Sequence, residues 1–219
     1  MPFLRYRSDI VNIDTLFRRL KKRFPEEVFG ETRDPFEVLI YTIISQRTRD
    51  EQTEVASEAL LSEFPTAKDL AEANVRRIEK LIKPAGFYRV KARKIKEVCK
   101  IIDREFDGKV PDDFETLMKL PSVGRKTANC VLVFGFGKPA IPVDTHVHRV
   151  SNRLGLVKTK EPEETEEELK KILPKRYWLD INHMFVKFGQ TICRPINPKC
   201  HKCPIKDSCK WYMKKIHKK

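Results

Sequence analysis

The chain is 219 residues long and sets 45 Lys and Arg against 31 Asp and Glu, a formal net charge of +14; it can bury a core as one large domain or as two lobes, and its stability does not require disulfides. No stretch approaches the roughly 18 apolar residues of a membrane span, and the opening MPFLRYRSD lacks an apolar core of signal-peptide length, so the expectation is a cytoplasmic protein without signal peptide or transmembrane segment. The excess of positive charge suits a polyanionic partner, nucleic acid or an anionic membrane surface, although charged residues at 35% of the chain also suit an ion-paired surface built for high temperature.

Taken in chain order, almost every periodic segment has helical spacing, and no segment alternates as a strand would. In VNIDTLFRRLKKRF, Ile13, Leu16, Phe17, Leu20 and Phe24 fall on one face of a helix. DPFEVLIYTIISQ starts with Asp34 as cap and Pro35 at the first helical position, and the apolar run that follows predicts a central helix. Further helices are predicted over DEQTEVASEALLSEF, NVRRIEKLI, YRVKARKIKEVCKIIDREF and DDFETLMKL, with turns at Pro65, at Pro84 to Gly86 and at Asp107-Gly108. The remaining helices are RKTANCVLVFGFG, DTHVHRVSNRLG, PEETEEELKKIL and RYWLDINHMFVKFGQ; the acidic run reads as a solvated helix with Glu-to-Lys pairs four residues apart. The fold class is all-α.

Six cysteines are unevenly spread. Cys99 and Cys130 sit inside apolar helical patterns and read as small buried hydrophobes. Cys193, Cys200, Cys203 and Cys209 crowd into CRPINPKCHKCPIKDSC, where Pro195, Pro198 and Pro204 preclude a continuous helix and let the thiols fold around one centre. The chemistry of four thiolates leaves zinc and an iron–sulfur cluster both open. His201 lies beside two of these cysteines, but four thiolates already complete a ligand set. Such a centre has no open coordination position, so its task is structural: it pins a loop that carries Arg194, Lys199, Lys202, Lys206 and Lys210.

LPSVGRKTANC holds the second signal. Pro121 stops one helix, Gly124 is expected to adopt a conformation barred to other residues and to let a ligand reach the backbone, and the next helix then points its unpaired N–H groups outward. That turn is either a plain corner between helices or an anion site that fits a DNA phosphate. Lys126 follows inside the helix, and Asp144 heads the next one, where it reads most simply as an N-cap. If the two faced a common cleft, an amine with its pKa lowered by partial burial and basic neighbours would be able to attack a sugar carbon and form a Schiff base.

LPSVGRKTANCVLVFGFGKPAIPVDTHVHRVSNRLG resembles the helix–hairpin–helix, Gly/Pro-rich loop and aspartate segment of the endonuclease III family of DNA glycosylases and abasic-site lyases, and the spacing of the last four cysteines resembles that family's iron–sulfur loop. The likeness runs from about Pro35 to Cys209. It implies two helical lobes with a DNA-binding cleft between them: a six-helix lobe over 30–138 bearing the helix–hairpin–helix at about 112–134, and a cluster lobe of 1–29 plus 139–219 with the [4Fe–4S] loop at 193–209. It further implies Lys126 as the Schiff-base lysine, Asp144 as the essential aspartate, and Cys193, Cys200, Cys203 and Cys209 as ligands of a [4Fe–4S] cluster. Ser122, Gly124, Arg125 and His146 would contact DNA. The expected location is the cytoplasm in association with the nucleoid, and a monomer is expected of an enzyme that scans DNA.

Two departures stand out. Family hairpins usually carry glycine where Ser122 stands; if that position needs a positive φ, serine costs strain but keeps a hydroxyl for phosphate. ISQRTRD differs where family members carry a glutamine that fills the gap left by the flipped base, a role assigned here to Gln46 or Arg47 with Phe87 or Tyr88. The implied activity is removal of damaged, chiefly oxidised, pyrimidines from duplex DNA, with nicking by β-elimination. The alternatives are a monofunctional mismatch or alkylated-base glycosylase of the same fold and a non-catalytic, zinc-stabilised DNA-binding module. A metal-dependent nuclease is disfavoured by the lack of suitably spaced carboxylates.

Overall fold

The computed structural model describes residues 12–25 and 32–216; the opening MPFLRYRSD and the expected lobe boundary near residue 30 lie outside the described residues. Among the described residues every regular element is helical, and no helix is long and apolar enough to cross a membrane. The chain divides into two compact units, Met1–Gly30 with Val143–Lys219 and Glu31–Pro142.

Helix α1, Ile13–Arg23, is capped by the Asn12 side chain, which accepts the Thr15 N–H, and it buries Leu16, Phe17 and Leu20 in the first unit. The second unit begins with α2, Pro35–Ser45, whose start matches the expected cap: Asp34 Oδ1 accepts the N–H groups of Phe36 at 2.8 Å and Glu37 at 3.1 Å, with Pro35 at the first position. Seven of its residues, from Phe36 to Ile44, are buried, so this helix is the core of its unit rather than a wall.

α3 (Asp50–Glu63), α4 (Ala67–Glu72), α5 (Val75–Leu81), α6 (Tyr88–Glu105), α7 (Phe114–Lys119) and α8 (Arg125–Cys130) follow. α2 packs against α3, α6 and α8, while α4 and α5 pack on α6. The sequence does not anticipate α4; a capping box closes it, with Thr66 and Asp69 exchanging side-chain and backbone hydrogen bonds. This short helix gives the unit seven α-helices among the described residues instead of the expected six.

RKTANCVLVFGFG is not one helix. α8 stops at Cys130 and continues as a π turn, Val131–Gly135, in which the Phe136 N–H donates to Val131 O at 3.2 Å. The wider turn ends on Gly135, where an added Cβ would lie 2.9 Å from Pro35 Cα, and Arg33 N–H donates to Phe134 O at 2.7 Å beside it. Glycine is needed here for close approach to the head of α2.

In the first unit, α9 (Thr145–Leu154) ends on Gly155 in the left-handed region, φ 79°. α10 (Pro162–Ile172) comes next; its Glu166–Lys170 pair at 2.6 Å fits the expected spacing. Its face is not wholly solvated, because Thr165 and Glu166 are buried. RYWLDINHMFVKFGQ splits into a 3₁₀ turn, Lys175–Tyr177, and α11, Ile181–Thr191. The chain closes with two 3₁₀ turns in the cysteine loop and α12, Lys210–Ile216. α9 packs on α10, α11 and α12, and Tyr177 stacks on Phe17 of α1 with ring centroids 4.0 Å apart.

Gly135→Ala is expected to lower the unfolding free energy by about 1–3 kcal/mol through this clash with backbone, seen as a lower urea midpoint; an unchanged midpoint would mean that the contact with Pro35 yields freely.

Candidate functional site

The turn after α2 carries Gln46 and Arg47, both exposed. Gln46 Nε2 donates to Ser122 O at 3.0 Å, and the Arg47 guanidinium lies over the Phe87 ring, 5.7 Å from its centroid. Phe87 immediately precedes α6 and is 62% exposed. The α2–α3 and α5–α6 loops meet backbone to backbone: an added Cβ on Gly86 would sit 2.7 Å from Arg47 O. Four residues expected at the interface, Gln46, Arg47, Phe87 and Ser122, are therefore joined by direct contacts. Tyr88, half-buried at the head of α6, has the Arg89 guanidinium 5.4 Å from its ring centroid.

Arg47, Phe87 and Ser122 all have positive φ, at 52°, 57° and 62°. Each costs roughly 1–2 kcal/mol relative to a right-handed conformation, and such outliers persist where surrounding structure over-determines them, often at functional sites.

Beneath these loops lies a residue the sequence reading missed. Lys91, on α6, is buried, and its Nζ donates to Ile44 O and to Thr48 Oγ1, each at 2.6 Å. Burial lowers its pKa to about 8. Its position was recoverable from spacing, since Lys91 falls on the same helical face as Ile95, Val98 and Ile102.

In the hairpin the roles of serine and glycine are exchanged relative to expectation. Ser122 takes the left-handed conformation, whereas Gly124 is extended, φ −95° and ψ 178°, which any residue can adopt. An added Cβ on Gly124 would meet nothing within 4 Å. Its absence therefore serves no packing need and leaves the exposed backbone bare to an approaching ligand. No side chain caps α8, whose first residues are Arg125, with its guanidinium 5.1 Å from the Phe114 ring centroid, and half-buried Lys126. Asn129 Nδ2 donates to Ile141 O at 3.3 Å and ties α8 to the Gly/Pro-rich loop.

In the other unit Asp144 is the N-cap of α9: its Oδ1 accepts the N–H groups of His146 at 2.9 Å and Val147 at 2.8 Å. Arg149 Nη2 lies 3.2 Å from His146 Nδ1; a guanidinium only donates, so Nδ1 accepts and the ring turns Nε2 away from this contact. α11 presses close here, for an added Cβ on Gly189 would lie 2.7 Å from His146 Nδ1.

Two arginines of α9 grip the start of the cysteine loop, a role the sequence reading did not assign. Arg149 Nη2 donates to Gly189 O at 2.9 Å and Cys193 O at 3.1 Å. Arg153 donates to Arg194 O at 2.7 Å and to Pro195 O at 2.8 Å, and stacks over Trp211.

Cys193, Cys200, Cys203 and Cys209 line one small cavity, walled also by Leu154, Phe188, Ile192 and Trp211. Burial pushes the Cys203 thiol up to about 11 and raises Cys200 and Cys209 as well. Buried thiols of this kind become thiolates when a soft cation is present to stabilise them. Among the described residues, no three His, Cys, Asp or Glu are grouped to hold a single metal ion, while the four thiols share the wall of one cavity. Cys99 and Cys130 are buried, as expected, and are not part of that wall.

Residues 40–175 match the family model described as HhH-GPD superfamily base excision DNA repair protein. The chain is 52% identical over 203 residues to an endonuclease III of Thermotoga maritima, covering 93% of this chain and 94% of that one. Its structure resembles that of an endonuclease III in a non-covalent DNA complex, with a TM-score of 0.85, 36% identity and coverage of 95% of this chain and 100% of the other. It also resembles an endonuclease III trapped as a covalent intermediate with DNA, with a TM-score of 0.84, 36% identity and coverage of 94% and 100%.

Ser122→Gly should stabilise the hairpin: relief of a left-handed serine, about 1–2 kcal/mol, outweighs the extra freedom of glycine in the unfolded chain, about 0.4–1 kcal/mol. A urea titration showing lower stability would contradict this balance.

Proposed function

Because the chain belongs to the HhH-GPD superfamily of base excision DNA repair proteins, within the endonuclease III family, we propose that it removes oxidised pyrimidines from duplex DNA and cuts the resulting abasic sites. It is a base-excision-repair DNA glycosylase and lyase. The observation that carries the residue assignment is Lys126, half-buried one position inside a helix whose first turn has no side-chain cap and whose preceding turn is bare at Gly124.

In this reading the hairpin and basic surface hold phosphates, so affinity falls with salt. The duplex kinks and the damaged nucleotide turns out, a step easiest where pairing is already weak. Gln46 or Arg47, together with Phe87 or Tyr88, fills the gap, and His146 and Arg125 contact the backbone. Lys126 Nζ attacks C1′; the glycosidic bond breaks and the base leaves with the bonding electrons and takes up a proton. The sugar ring opens to an imine between C1′ and Nζ. Loss of a C2′ proton then breaks the C3′–O bond and releases the 3′ phosphate, and water hydrolyses the imine, leaving an unsaturated aldehyde. Asp144 stabilises positive charge developing on the sugar and helps deprotonate the amine. Its carboxylate is held by the first turn of α9 through Oδ1 alone, and Oδ2 makes no hydrogen bond among the described residues.

Cys193, Cys200, Cys203 and Cys209 are the donors proposed for a [4Fe–4S] cluster, a group that four thiolates ligate, and the four thiols line one cavity. Bound there, it supplies structure and no open coordination position. The protein is proposed to act as a monomer on nucleoid DNA.

Borohydride added to the protein and DNA containing an abasic site, in EDTA, should trap a covalent adduct; an adduct that survives Lys126→Ala would overturn the lyase assignment. Asp144→Asn is expected to cut turnover by about 100-fold or more while DNA binding holds, and unchanged turnover would reduce Asp144 to a cap. Purified protein should be brown and contain iron and sulfide, and Cys203→Ser should lose both; a colourless zinc protein would refute the cluster.

A further inference from the structure

We infer that Lys91 is a positioning residue for base extrusion: with Thr48 it forms a buried hub that fixes the α2–α3 loop against the α5–α6 turn, and so sets where Gln46, Arg47 and Phe87 stand. The inference rests on the gap-filling reading of those three residues. The Lys91 ammonium donates to Ile44 O, one of the carbonyls that the end of α2 leaves without a helical partner, and to Thr48 Oγ1. Thr48 Oγ1 also accepts the Gly86 N–H at 3.1 Å and donates to Gln46 O at 3.3 Å. One hydroxyl thus touches both loops, and one ammonium fastens that hydroxyl to the core helix.

The connection reaches the exposed aromatic as well. Lys91 lies one turn after Phe87, and its N–H donates to Phe87 O at 3.1 Å. A cation on an otherwise apolar helix face is costly to bury, and a methionine would fill the same stem volume without that cost. What the ammonium adds is hydrogen bonding to two loop-end groups. The hub also accounts for the left-handed backbone of Arg47 and Phe87, because the loops are tied on both sides of each residue.

If the hub only stabilised the fold, its loss would weaken every activity alike. If it positions the gap-filling side chains, its loss must weigh most on the step that opens a paired duplex. The test uses the full-length, cluster-loaded protein and two substrates: a duplex with one oxidised pyrimidine beside 2-aminopurine, and a single strand with one abasic site, where no partner strand has to be propped apart. Lys91→Met and Thr48→Val are expected to lower the ratio of duplex excision to single-strand scission by about tenfold and to reduce the 2-aminopurine fluorescence rise on binding. Thr48→Ser, which keeps the hydroxyl, should restore the ratio to within about threefold of the parent. Should Lys91→Met fail to fold, the Thr48→Val and Thr48→Ser pair decides alone. A parental ratio in folded Thr48→Val, or equal loss on both substrates, overturns the inference. Gln46→Ala in parallel separates the two levels: if it also leaves the ratio unchanged the gap-filling reading fails, whereas if it lowers the ratio while the hub variants do not, only the hub is refuted.

Discussion

A helix with almost no polar face must be surrounded, and the 31–142 unit is organised by that requirement. α2 is buried from Phe36 to Ile44, so α3, α6, α8 and the π turn take positions around it rather than beside it. Its two ends then become fixed points. The head presses on Gly135 and thereby sets where the π turn after α8 stops; the tail delivers Gln46 and Arg47 to the surface and offers Ile44 O to Lys91. The side chains proposed to meet DNA in this unit are held by an apolar core whose energy has nothing to do with DNA, which lets the loops above it carry strained backbone.

The other unit solves a different problem. A loop with three prolines and four thiols has little helix to support it, and two arginines on α9 supply backbone hydrogen bonds in place of a ladder. The same α9 begins at Asp144, and Arg149 touches both His146 and Cys193 O. A disturbance of the cysteine loop therefore has a short physical route to the proposed DNA contact, through one guanidinium and the close approach at Gly189.

Much of this was legible because local chemistry and global fold agreed. Asp34 and Pro35 read as a cap and are one; Ile13, Leu16 and Phe17 read as a buried face, and the latter two are fully covered. What stayed hidden were places where a residue type is used against its habit. Lys91 was lost among many solvated lysines although its spacing put it inward. The Thr66 and Asp69 box closes a helix too short to show periodicity. The hairpin misled for a related reason: glycine invites the left-handed conformation, but the chain gave that conformation to Ser122 and kept Gly124 for bareness. RKTANCVLVFGFG looked continuous because a π turn keeps helical spacing almost intact while adding one residue.

Cys99 has a bearing on how such a protein is made. Its thiol is pushed up to about 12 by burial, which disfavours the thiolate, the form that captures metals and meets oxidants. Cys130, with 3% of its surface exposed, is as inaccessible. With the 31–142 unit folded, these two thiols are covered, whereas the four of the last loop, proposed as cluster ligands, line their own cavity. Burial is thus a form of selectivity: if the proposed cluster is assembled on the folded chain, the core itself withholds Cys99 and Cys130 from it.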